Sequence, residues 1–171
     1  MFNTLFEDTI RLIEKWKPKE EYENENMYRD DLLDFLREKF EKSSNPLVFQ
    51  QKVSVRNETD RALSDISING YEIGIEVKKD LRDKSQIDIL IGKIAGYKKE
   101  YNDVILLLVG EVYRNTIEYC KDKSSGLIDR QVFELDKEPR IKIIVKGKEK
   151  GKGGSKSRKD SIFREIPDFG L

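Results

Sequence analysis

No histidine occurs among the 171 residues, and there is a single cysteine, Cys120. Those two scarcities exclude a great deal of chemistry. An ordinary structural or catalytic zinc site cannot be assembled, and neither can a Ser-His-Asp or Cys-His triad. Acid–base work falls to carboxylates, lysine, tyrosine or metal-activated water, so the enzyme class left most open is hard-cation chemistry with oxygen ligands. A lone cysteine forms no internal disulfide, which fits a reducing compartment. Long apolar runs are missing too: no stretch approaches the ~20 residues needed to cross a bilayer. The segment MFNTLFEDTI carries acids where a secretory leader would carry bases. The expectation is a cytoplasmic protein with no membrane contact.

What is present is charge. Hydrophobic residues make up 37% of the chain and charged residues 39%, enough apolar material for one domain with one substantial core. Net charge is zero but unevenly placed. Residues 1–47 hold 12 acids and 8 bases, whereas residues 137–159 hold 10 bases and 2 acids. The basic end suits an anionic partner; a solvated lysine-rich tail fits the same count equally well.

Apolar spacing predicts a helix over residues 3–16, stopped by Pro18. A second runs from about Glu20 to Glu41, with Tyr28, Leu32, Phe35, Leu36 and Phe40 on one face and Ser43-Ser44-Asn45-Pro46 ending it. Strand composition follows at Val48–Val55, Ala62–Ile68 and Tyr71–Val77. Helical periodicity resumes over Ser85–Tyr101, and Val104–Val109 is a continuous apolar run suited to a strand covered on both faces. A helix over Glu111–Lys123 and strands at Gln131–Leu135 and Ile141–Val145 complete the expected elements. Residues 146–159 (KGKEKGKGGSKSRK) read as a basic loop or arm within a single domain spanning 1–171. The fold class is α/β, a mixed sheet flanked by helices.

Asn69-Gly70, between two alternating runs, predicts a two-residue hairpin turn. That turn sets Ile68 opposite Tyr71, Ile66 opposite Ile73 and Asp65 opposite Gly74. One sheet face then carries Ser64, Ile66, Ile68, Tyr71, Ile73, Ile75 and Val77, the core side. The other carries Asp65, Ser67, Glu72, Gly74, Glu76 and Lys78. Glu76 falls one diagonal step from Asp65, and Gly74 leaves space between them for a cation. Carboxylates so placed repel each other unless a cation compensates. A plain solvent face of alternating Glu and Lys is the competing interpretation.

Asp65, ten intervening residues and Glu76-Val77-Lys78 resemble the bipartite signature of the PD-(D/E)xK nuclease superfamily, whose members share a restriction-endonuclease-like fold. The likeness extends over about residues 20–110: a helix with a glutamate, a hairpin bearing the acid and the E-x-K, a helix, a central strand. Ser64 stands where the signature has proline. The resemblance implies a Mg²⁺-dependent (or Mn²⁺-dependent) deoxyribonuclease. Asp65, Glu76 and the Val77 carbonyl would hold the ion, and Lys78 would position or help deprotonate the attacking water and neutralise the phosphate. It further implies a helix glutamate, for which Glu25 fits because it shares a face with Tyr28, Leu32 and Leu36; a first-turn glutamate favouring the helix dipole accounts for it equally. Gln86 resembles a glutamine that some members place after the E-x-K strand, and is also an ordinary helix-start residue. Arg29, Lys79, Arg82, Lys84 and Lys93 are the expected contacts to nucleic acid, DNA before RNA, with Tyr97 on the Lys93 face. Many members of the superfamily dimerise, so a homodimer is compatible. The alternative is a non-catalytic nucleic-acid-binding or scaffold protein that keeps the nuclease fold.

Overall fold

The computed structural model describes residues 4–42, 53–57, 64–128 and 140–150, with side chains described to 122 and to 148 in the last two stretches. Helix α1 covers Leu5–Lys15 and α2 covers Glu25–Lys42. They are followed by β1 (Val55–Asn57), β2 (Ile66–Ile68), β3 (Ile73–Lys79), α3 (Lys84–Tyr97) and β4 (Asp103–Val109). The chain then forms β5 (Glu111–Tyr113), α4 (Arg114–Ile128), β6 (Arg140–Val145) and β7 (Lys148–Lys150). The strand expected at 131–135 and most of the arm, 151–159, lie outside the described residues, as do the outer parts of the first two predicted strands.

Five strands form one mixed sheet in the order β1-β2-β3-β4-β6. β1, β2 and β3 pair antiparallel, whereas β3, β4 and β6 pair parallel. Parallel neighbours need a crossover, and α3 supplies the one between β3 and β4. Every residue of β4 is buried, the apolar run Val104–Val109 by its composition and Asp103 through its bonds from Arg140 (2.8 Å). Ile105, Leu107 and Val109 pack with α1 and α2 on one face; Val104, Leu106 and Leu108 pack with α3 and α4 on the other. The result is an α/β architecture with a mixed five-stranded sheet between two helix layers.

Helix starts follow local hydrogen bonding. Thr4 and Glu7 close a capping box on α1, with Thr4 Oγ1 accepting from Glu7 N (3.3 Å) and Glu7 Oε2 from Thr4 N (3.0 Å). α2 begins at Glu25, later than its periodicity suggests. Asn24 Oδ1 accepts from Met27 N (3.0 Å), Asp31 accepts from Lys19 N (3.0 Å), and the Tyr28 hydroxyl accepts from Tyr22 N (3.2 Å). Those side chains hold residues 19–24 as a non-helical, bent segment against the helix.

Three further expectations need correction. The hairpin is wider than a two-residue turn: Ile68 pairs with Ile73, Ser67 with Gly74 and Ile66 with Ile75. Asn69 and Gly70 do take positive φ (50° and 71°), but Tyr71 and Glu72 turn their carbonyls to Asn102 N and Asp103 N (3.1 and 3.0 Å) instead of closing the hairpin. The register therefore moves by two residues. An even shift leaves each side chain on its face. Next, Glu111–Tyr113 is a strand, not the start of a helix, and it pairs in parallel with Lys148–Lys150. Within the predicted arm, then, 148–150 belong to a second small sheet. The kink before β5 needs Gly110 (φ 71°), whose missing Cβ leaves room for the Asp80 carboxylate.

Candidate active site

β2 begins only at Ile66, one residue after Asp65, while β3 runs on to Lys79, so the outer edge of β3 loses its ladder partner after Ile75. Two carboxylates take over. Val77 N donates to Asp65 Oδ2 at 2.7 Å, and Lys79 N donates to Glu25 Oε2 at 3.1 Å. Extending the observed register by one pair sets Asp65 directly opposite Glu76, rather than opposite Gly74. The other Glu25 oxygen, Oε1, accepts from Lys78 Nζ at 2.6 Å. Glu25, Asp65, Glu76, Val77 and Lys78, distant in sequence, are thereby gathered where β2 enters the sheet.

Glu76 is the buried centre, its side chain only 2% exposed. Its Oε2 accepts from the Tyr97 hydroxyl at 2.8 Å; its Oε1 faces Lys93 Nζ at 3.4 Å and Lys78 Nζ at 3.6 Å. Lys93 and Tyr97 are four residues apart on α3 and so share the face that covers β3. The face at Glu76 is therefore covered, unlike the plain solvent face of the competing interpretation. Gly74 also has a different purpose from the one its sequence position suggests. A Cβ there would lie 2.8–2.9 Å from the Tyr101 ring and 3.0 Å from Ser64 Oγ. The gap at Gly74 admits an aromatic ring, not a cation. Tyr101 meets Tyr97 edge-on with ring centroids 6.3 Å apart, so the ring above Gly74 supports the phenol that holds Glu76.

The local electrostatics follow from burial. Burial and the neighbouring Glu76 charge push the Asp65 carboxyl up to about 6, against the pull of its bond from Val77 N. Burial opposes the Lys78 ammonium, but Glu25, Glu76 and Asp65 outweigh it and hold Lys78 above the usual lysine range. The Tyr97 phenol is driven far upward by burial and by Glu76, and stays a hydrogen-bond donor.

By donor type the set would suit a small hard cation: two neighbouring carboxylates and the adjacent backbone, all oxygen, and Mg²⁺ is commonly bound through one or two carboxylates beside its waters. Among the described residues no three His, Cys, Asp or Glu side chains are grouped to hold a metal ion. Glu25 is engaged by Lys78 Nζ and Lys79 N.

Other predicted residues are placed elsewhere. Gln86 is exposed and accepts from Arg82 N at 2.9 Å. Arg29, expected at nucleic acid, is buried and pairs with Asp30 (2.8 Å) and Asn26 (3.2 Å). The Lys79 ammonium turns to Asp80. Arg82 lies 3.6 Å from Asp80 and 4.0 Å from Glu111, and Lys84 sits over the Tyr119 ring at 5.1 Å. Asp80 was not foreseen: at φ 54° it accepts from Glu111 N (2.8 Å) and ties the end of β3 to the start of β5. A non-glycine residue in that conformation leaves only a weak sequence signal, an aspartate after a strand.

No family model, curated protein or solved structure matches the chain. The geometry stands by itself.

Proposed function

We propose that this chain is a metal-dependent nuclease of restriction-endonuclease-like fold that hydrolyses phosphodiester bonds in DNA. One observation carries it. The β2–β3 register, extended by one pair, sets Asp65 opposite Glu76, whose charge raises the Asp65 carboxyl, and Glu25 fixes the Lys78 ammonium at 2.6 Å, 3.6 Å from Glu76. Carboxylates that repel each other in a partly buried site are costly as structure alone, and a shared cation removes the cost. The order α2, hairpin, α3, β4 supports the same fold.

Asp65 and Glu76 would hold Mg²⁺ or Mn²⁺, with the Val77 carbonyl as a further ligand. The ion supplies an activated nucleophile and offsets charge on the scissile phosphate. Lys78 orients the attacking water and presents a positive charge where negative charge develops. Held protonated by its three acidic neighbours, it serves as a cation and not as the proton acceptor. Glu25 keeps it aimed.

A second reading is a DNA-binding scaffold that keeps the fold without cutting. It is favoured by the internal pairing of the site, in which Lys78 and Lys93 neutralise Glu76 and Glu25 neutralises Lys78. Incubation with plasmid and single-stranded DNA in Mg²⁺, Mn²⁺ and chelator separates the two. Cleavage is expected in the metals and not in chelator, with Asp65→Ala and Lys78→Ala each slower by at least about a hundredfold. Binding without cleavage in every buffer would establish the scaffold; undiminished cleavage by both variants would place the chemistry elsewhere.

A further inference from the structure

The geometry points to Lys93 as a built-in counter-ion that occupies the cation position on Glu76 and yields it when a divalent ion binds. This inference rests on the metal-site reading above. Glu76 has two carboxylate oxygens with unequal partners. Oε2 is fixed by the Tyr97 hydroxyl at 2.8 Å, a neutral donor on a buried ring. Oε1 faces two ammonium groups, at 3.4 Å (Lys93) and 3.6 Å (Lys78). A buried carboxylate needs that compensation.

The two lysines are not held alike. Lys78 has a side chain 23% exposed and a second, shorter bond to Glu25 at 2.6 Å. It is anchored. Lys93 is 49% exposed, and among the described residues it pairs with no other carboxylate. It reaches Glu76 from α3 on a flexible four-carbon stem, so it can withdraw into water with little loss. Tyr97, one turn further along, keeps Glu76 in place as it does so.

A divalent ion therefore competes with an ammonium group for Oε1. Removing that ammonium strengthens the ion's hold, because the competitor for Oε1 is gone and Glu76 is left with Lys78 alone, at 3.6 Å, as its cationic partner. A purely structural ion pair predicts the reverse: a damaged site that binds cations no better.

The test is calorimetric titration of Mn²⁺ into the full chain, comparing the unsubstituted protein with Lys93→Met and Lys93→Arg, alongside thermal unfolding in chelator. Methionine keeps the apolar stem and removes the charge. Lys93→Met is expected to bind Mn²⁺ about fivefold to tenfold more tightly, to unfold earlier in chelator, and to recover more than the unsubstituted protein does when Mn²⁺ is added. Lys93→Arg retains the charge and is expected to titrate like the unsubstituted protein. Equal or weaker Mn²⁺ binding by Lys93→Met overturns the counter-ion role and leaves the metal site standing. No Mn²⁺ binding by any of the three proteins overturns the metal site, and this inference with it.

Discussion

Asp65 shows how one residue can serve the frame and the chemistry together. One oxygen completes the hydrogen bonding of β3 by accepting from Val77 N at 2.7 Å, while the charge faces Glu76, Glu25 and Lys78. Its carboxyl holds a proton up to about pH 6 in the folded chain, whereas an unperturbed one releases it near 3.8. Between those values the folded state binds more protons than the unfolded state, so stability falls as pH rises through that window. In chelator the loss should be on the order of 2 kcal/mol. Asp65→Asn keeps an oxygen for Val77 N and carries no charge. Urea unfolding at pH 4.5 and pH 7 should therefore show a smaller drop for the variant, leaving it more stable than the unsubstituted protein at pH 7. Equal drops in the two proteins would show that Asp65 is not the strained group. The acid and the E-x-K were legible because hairpin strands expose a period of two. The partners of Glu76 were legible only as a helix face, since nothing in a sequence states how far Lys93 or Tyr97 reaches.

At the scale of the element, the glycines of β3 and α3 make opposite demands. Gly74 is pressed by Tyr101, and an added methyl group must push the ring or the strand aside. Gly92 has open space around it on an exposed turn of α3, where glycine costs helix stability. Gly74→Ala should lower the unfolding free energy by about 1–3 kcal/mol, and Gly92→Ala should raise it by about 0.5–1 kcal/mol. Both are read from urea midpoints in chelator. A Gly74→Ala protein as stable as the original would mean that Tyr101 is not wedged there, and that the prop behind Tyr97 and Glu76 is absent. Elements with strong periodicity were readable from sequence: α1, β3, α3, β4 and β6 fall within a few residues of expectation. The hairpin register was not, because Tyr71 and Glu72 are claimed by Asn102 and Asp103 through backbone bonds that leave no mark in composition. β5 was missed for a similar reason. Glu111–Tyr113 is extended because it pairs with Lys148–Lys150, residues far along the chain in a stretch that reads as low in complexity.

The whole molecule decides whether those elements make a site. Glu25 comes from the first turn of α2, Asp65 from the residue before β2, Glu76 and Lys78 from β3, and Lys93 and Tyr97 from α3. Helices on opposite faces of the sheet thus meet the end of one strand, which happens only when both helix layers are packed on a complete β3–β4 pair. An acidic first quarter and a basic stretch over 137–159 give the sequence a charge polarity, and where both are described they meet, Lys148 pairing with Glu21 at 3.3 Å. That polarity would serve a binder as well as an enzyme, whereas a cation shared by Asp65 and Glu76 would not be needed by a binder. The decisive measurement is anomalous diffraction from crystals soaked in Mn²⁺. One strong peak is expected at about 2.0–2.4 Å from carboxylate oxygens of both Asp65 and Glu76, with the Lys93 ammonium moved away from Oε1. Crystals that diffract well and show no peak there, or a peak held by other residues alone, would contradict the metal site at the centre of this account.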